Sequence, residues 1–176
     1  MDETRHALIE DFGNGYVKFG HSELMGRVVG LLLFSEEPLT ADEMSERLET
    51  SKSPVNQIAR RLEELNLIRR VWVKGDRKHY YRIADDVFLQ AGVNLSRLFE
   101  ENLQIAEKHL RGLMKKYAAA NKEEKNKLRP LLERLLLMRE FHQREVEAYR
   151  RFIETWKSAK KTLPPVEEFI KTAKKE

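Results

Sequence analysis

Apolar side chains recur every three or four residues over most of this chain, and every second residue over one short stretch. Leu8, Ile9, Phe12, Tyr16 and Phe19 fall at helical spacing and predict a helix over 3–19, which Gly13 and Gly15 weaken. A second helix is expected over 22–34, with Ser22 as its N-cap and a run from Leu24 to Phe34 too apolar to face water. Pro38-Leu39 is a short extended connector. Thr40, with Glu43 three residues on, forms a capping-box pattern for a third helix that buries Met44 and Leu48. Thr50 to Ser53 is a turn, after which Ser53 as N-cap and Pro54 at the first helical position start a fourth helix to about Asn66. Val55, Ile58, Leu62 and Leu65 share one of its faces. The period then drops to two: Leu67–Val73 and Lys78–Ile83 are β-rich runs about the turn Lys74-Gly75-Asp76-Arg77, which is a hairpin.

Beyond the hairpin the helical period returns and persists. Asp85-Asp86 caps a helix to about Ala120, with Leu95, Phe99, Leu103, Ala106, Leu110, Leu113 and Tyr117 in phase. Asn121 with Glu124 caps another, in which Pro130 either makes a kink or marks the first turn of the main part. Periodicity then runs to Trp156, Pro164-Pro165 stops it, and a short helix over Val166 to Lys175 follows. Helices of about 35 residues are about 50 Å long and need another surface to cover them. A homodimer is expected, with a seam of Leu128, Leu131, Leu135, Met138, Tyr149, Phe152 and Trp156. His142 and Glu145 interrupt that stripe; either the stripe rotates there or a His142–Glu145 pair sits in the seam, fixing register or responding to pH.

The resulting fold class is mainly α with a small β-hairpin wing, a winged helix-turn-helix plus long dimerisation helices. Its segments are an N-terminal helix at 1–21 packing on the dimer region, the winged domain at 22–84, antiparallel long helices at 85–160 and a tail at 161–176. The chemistry lies on the fourth helix and the wing. Ser53, Asn56, Gln57, Arg60 and Glu64 project from the polar side of that helix; Asn and Gln can pair with adenine and Arg with guanine in a major groove. Ser51, Lys52 and Ser53 at its entry suit phosphate. Lys74, Arg77 and Lys78 put three cations on the wing tip, a shape for the adjacent minor groove. Asp76 is expected to support the wing by an ion pair to Arg77 or another Arg.

Charge sharpens the picture. The net charge of the 176 residues is only +4, but 36–49 carry six acids and one base while 51–82 carry nine bases and three acids. Charged residues make up 35% and hydrophobic ones 41%, which fits a real core with long solvated helix faces. The absence of cysteine excludes disulfides and thiolate metal sites. The charged N-terminus has no signal core and no apolar run spans a bilayer, so a cytoplasmic protein without membrane contact is expected. Five scattered histidines make no metal site, no glycine-rich phosphate loop appears, and no nucleophile sits beside a base, so neither cofactor nor enzymatic activity is expected. Tyr16, Phe19, Trp72, Tyr80, Tyr81 and Phe88 form either plain core or a cage for a cationic effector.

Ser51 to Arg70, followed by Gly75-Asp76-Arg77-Lys78-His79-Tyr80-Tyr81, resembles the MarR superfamily of regulators. Met25-Gly26-Arg27-Val28-Val29-Gly30-Leu31-Leu32-Leu33 with Pro38-Leu39-Thr40 resembles its GbsR-type branch, and the likeness covers residues 8–83. The resemblance implies a homodimeric repressor on palindromic double-stranded DNA and the Asp76-Arg77 wing pattern. Some GbsR-type regulators sense choline-like ligands, but no residue here matches such a site. A small-molecule effector could act between the reading heads and the long helices, and its identity is unassigned. The alternative from another class is a winged-helix protein-interaction module without DNA readout.

Overall fold

The computed structural model describes residues 3–173, in two compact units of 1–91 and 92–176. The first unit opens with α1 (Glu3–Lys18) and α2 (Glu23–Leu33), followed by β1 (Leu39–Thr40), α3 (Ala41–Arg47), α4 (Lys52–Glu64), β2 (Ile68–Val71) and β3 (Tyr80–Ile83). The sheet order is β1-β3-β2, all antiparallel, with Leu39 opposite Tyr81 and Ile68 opposite Ile83. The wing is therefore a hairpin with a third strand laid on its inner edge. Tyr81, central in that sheet, is buried, and alternation turns Tyr80 outward.

Glycines bring α1 and α2 together. A Cβ on Gly26 would lie 2.3 Å from the Phe12 carbonyl oxygen and 2.8 Å from Gly13 Cα. Gly13, which weakens an isolated helix, is thus a contact point; the stem of Arg27 packs over it. Here α1, expected on the dimer region, packs on α2, because Ile9 and Phe12 face Gly26 and Gly30. Phe12 then meets Phe34 edge-on at 6.1 Å. Beneath this pair, Val28 and Leu32 of α2, Met44 and Leu48 from α3, Val55 and Leu62 of α4 and Ile68 of β2 form a single core.

Local signals set most boundaries. Ser22 Oγ accepts from Met25 N at 3.2 Å. Thr40 and Glu43 form the full capping box, and the Thr40 backbone N–H and hydroxyl hold the Glu43 carboxyl below its ordinary pKa. At the start of α4 the expectation needs correction: the N-cap is Ser51, not Ser53. Pro54 is tolerated two residues into the helix because no N–H in the first turn has a helical partner anyway. Two helix ends use left-handed residues. Asn66, at φ 54°, follows α4, a position asparagine accepts. Glu49, at φ 51°, follows α3 where glycine would relieve strain of roughly 1 kcal/mol. Leu67 N–H closes the first of these motifs on Leu62 O at 2.9 Å, and Thr50 N–H closes the second on Ser45 O at 3.0 Å.

The long helices are α5 (Val87–Ala119) and α6 (Lys122–Ala159); a 3-10 turn (Lys160–Thr162) and α7 (Val166–Ala173) follow. Asp86 caps α5 by accepting from Leu89 N, whereas Asp85, also expected to cap, instead takes a bidentate pair from Arg69 at 2.8 and 2.9 Å. Asn121 and Glu124 form a capping box, and α6 continues through Pro130 instead of restarting there. α5 and α6 run antiparallel: Arg150 pairs with Glu100 at 3.2 Å and Arg139 with Glu107 at 3.8 Å. Ala106, Leu110 and Val146 are buried along this pair, and Phe99 meets Tyr149 edge-on at 5.0 Å. Residues 174–176, the end of the expected tail helix, and residues 1 and 2 lie outside the described residues.

The structure divides the expected dimer seam. Leu128, Leu135, Met138, His142, Tyr149 and Trp156 are half-buried, while Leu131 and Phe152 are exposed. His142 and Glu145 do pair, at 2.7 Å and partly buried. The apolar side chains most open on these helices include Leu137 and Phe141 of α6 with Met114 of α5.

Candidate nucleic-acid interface

One face of α4 is sealed and the other open. Val55, Ala59 and Leu62 are fully buried, so at 100° per residue Ser53, Gln57, Arg60 and Glu64 must point away, and all four are exposed. Lys52, Ser53, Asn56, Gln57 and Arg60 line one shallow surface recess. Asn56 is half-buried and donates to the Lys52 carbonyl at 3.1 Å, which leaves its side-chain oxygen to accept. The Ser51 hydroxyl makes no capping bond.

Ion pairing sorts the basic block of 51–82 into two groups. Arg61 pairs with Glu64 at 3.0 Å, Arg70 with Glu63 at 2.8 Å and Arg69 with Asp85, while Arg82 donates to the Glu36 carbonyl at 3.2 Å. These cations tie α4 to β2, and β2 to the start of α5. Lys52 pairs with Asp42 at 2.6 Å, joining α3 to the start of α4. Among the described residues, the side chains of Arg60, Lys74, Arg77 and Lys78 make no ion pair or hydrogen bond, and all four are exposed. They are the mobile countercharge a polyanion would recruit, and neutralising them costs the fold nothing.

The wing tip is built differently from the expectation. Asp76 pairs with no arginine. One of its carboxylate oxygens accepts the Lys78 backbone N–H and the other the Tyr80 hydroxyl, each at 2.9 Å. The Asx-type turn is the shorter route, since the Lys78 amide lies two residues on and Tyr80 points out of the sheet toward it. Gly75, at φ 87°, supplies the left-handed residue of the turn. The Lys78 N–H first, and the Tyr80 hydroxyl second, hold the Asp76 carboxyl below its ordinary pKa, and the same bond raises that of Tyr80. A group lowered on folding contributes order that is present above its unfolded value, about 4, and is lost as pH falls through the lowered one. The Lys78 amide resonance is therefore expected to move as pH falls below about 4. In Asp76→Ala that movement should vanish, and an unchanged titration in the variant would show that the bond does not form.

The aromatic group does not assemble. Phe19, Trp72 and Phe88 are exposed, Trp72 at 78%, while Tyr81 is buried in the sheet. Trp72 stands beside the cationic tip as a surface group that core reasoning missed. The signal was alternation: Val71 and Val73 are half-buried, so Trp72 between them faces out.

The helices α3 and α4, the latter sealed on one face, with the hairpin and its inner strand, together define a winged helix-turn-helix fold. The chain's relatives are HTH-type transcriptional regulators. It is 32% identical over 91 residues to the HTH-type transcriptional repressor OpcR of Bacillus subtilis (strain 168), covering 50% of this chain and 49% of that protein. It is 28% identical over 88 residues to the putative HTH-type transcriptional regulator YvaV of the same organism, covering 50% of each. The chain thus spans about half the length of the curated relatives it matches. A solved structure of a transcriptional regulator shares the fold with a TM-score of 0.59 at 24% identity, over 84% of this chain and 99% of that one. No family model matches the chain. Among the described residues no helix is long and apolar enough to cross a membrane.

Proposed function

We propose that this chain is a DNA-binding transcriptional regulator, a repressor in kind, that acts in the cytoplasm as a homodimer on a palindromic operator. The observation that carries the reading is the set of exposed cations, unpaired among the described residues, on α4 (Arg60) and the wing (Lys74, Arg77 and Lys78), together with an α4 recess lined by Lys52, Ser53, Asn56, Gln57 and Arg60. In the proposed complex α4 lies in the major groove, with Gln57, Asn56 and Arg60 at base edges and Ser51, Lys52 and Ser53 on phosphate. Lys74, Arg77 and Lys78 hold the adjoining backbone and minor groove. The repressor named among the relatives supports the sign of regulation. Leu137, Phe141 and Met114, open on α5 and α6, support a second copy as the cover for the long helices, and a palindromic site would take one α4 from each copy, half-sites lying about one DNA turn apart.

Selection from a random duplex pool tests the proposal, followed by salt titration on the selected sequence. The expected site is a palindrome, bound by two chains, whose log affinity falls linearly with log salt. A pool that yields no enriched sequence, or an affinity indifferent to salt, overturns the reading and favours a protein-interaction module.

A further inference from the structure

Trp72 is the largest side chain on the wing, and the fold makes little use of it. It is 78% exposed and directly follows β2, between Val71 and Val73, which are half-buried and fix the backbone on either side. Among the described residues its indole meets no other aromatic ring, lies under no cation and makes no hydrogen bond. An indole left in water forgoes the burial from which large apolar side chains contribute elsewhere. The residues that follow it toward the tip, Lys74, Arg77 and Lys78, are exposed cations without an ion pair among the described residues.

A partner for this part of the surface has to be anionic and still offer apolar area. The backbone of a DNA duplex does both: its phosphate oxygens accept hydrogen bonds, and the deoxyribose between them is apolar. An indole matches that pair with an apolar ring face and one N–H that can only donate. Reach favours the backbone over the bases. Trp72 precedes Gly75, the left-handed residue of the turn, by three positions, which is up to about 10 Å of chain. The minor groove is about 7.5 Å deep. With the tip at the groove floor, Trp72 stands at the rim, and a groove has a sugar–phosphate strand on each side.

We infer that Trp72 is a DNA-binding residue that packs its indole on deoxyribose and donates Nε1–H to phosphate at the edge of the groove entered by the wing. The inference rests on the regulator reading and deepens it, because it adds to the cations a contact that carries no charge.

The full-length Trp72→Ala variant tests the contact, by fluorescence anisotropy on the selected operator and on a scrambled duplex across a salt series. Since the side chain is exposed, the variant is expected to melt with the parent. It is expected to bind both duplexes about tenfold more weakly, the loss typical of one hydrogen bond to a charged group. The slope of log affinity against log salt is expected to stay as in the parent, because no charge has been removed. The chain has two tryptophans. The difference in emission between the parent and Trp72→Phe therefore isolates Trp72, and it is expected to shift to the blue when duplex covers the ring. Undiminished affinity in Trp72→Ala, a loss confined to the operator, a reduced salt slope, or Trp72 emission unmoved by saturating duplex overturns the contact and leaves the regulator reading standing. A parent chain that binds neither duplex overturns both.

Discussion

Gly26→Ala is expected to destabilise the chain by about 3 kcal/mol, the upper end of what overpacking costs. The added Cβ would sit 2.3 Å from the Phe12 carbonyl oxygen and 2.8 Å from Gly13 Cα. Both are backbone atoms of α1, so no rotamer change relieves the contact and the helices must separate. Separation opens gaps around Ile9 and Val28, which are now fully buried. Gly30→Ala meets Phe12 Cβ at 3.1 Å and Ile9 Cα at 3.2 Å, a clash that a shift of a few tenths of an ångström absorbs, so its cost is smaller. Gly15→Ala meets nothing within 4 Å and is expected to stabilise α1 by about 0.5–1 kcal/mol through helix propensity alone. Urea midpoints at constant slope measure all three. The order Gly26, Gly30, Gly15, with a change of sign at the last, is the test; equal effects would show that the three positions are not distinguished by packing.

That series also marks where the sequence was and was not legible. Periodicity located the α-helices, and caps fixed the starts of α2, α3 and α6, because Ser22, Thr40–Glu43 and Asn121–Glu124 act within one turn and need no tertiary context. Of the two glycines of α1, Gly15 meets nothing and remains a weakness, but Gly13, like Gly26 of α2, contributes the near absence of a side chain facing another helix. Likewise, Asp76 was assigned to wing support, but its partners, the Lys78 amide and the Tyr80 hydroxyl, depend on the turn geometry. The open face of α4 followed directly from its buried one. Which cations were committed to the fold did not follow, because Arg69–Asp85 and Arg70–Glu63 join residues distant in sequence. The long helices gave the opposite difficulty: their stripe is wide enough to serve both the α5–α6 contact and a second surface. Period alone could not say that Tyr149 faces Phe99 while Phe141 stays open.

On the selected operator, Arg60→Ala is expected to weaken binding by about 1–3 kcal/mol, between five- and 150-fold, and to flatten sequence preference at one base pair. Arg60 is the longest side chain on the open face of α4, and no carboxylate in the described fold competes for it. A guanidinium in that position satisfies both acceptors of a guanine edge, and alanine satisfies neither. Lys74→Ala should act on another term. A lysine on the wing tip neutralises phosphate without reading sequence, so its loss weakens specific and non-specific duplexes alike and reduces the salt slope by roughly one. Arg77→Ala falls between the two, weakening binding most where the flanking minor groove is narrow and A·T-rich. Arg61→Ala is the internal control: Arg61 is exposed, as Arg60 is, but already paired with Glu64, so the variant should change affinity little. Fluorescence anisotropy on operator and scrambled duplexes at three salt concentrations separates these cases. If Arg60→Ala and Lys74→Ala lowered both duplexes equally, α4 would be a phosphate clamp rather than a reader, and specificity would have to come from DNA shape.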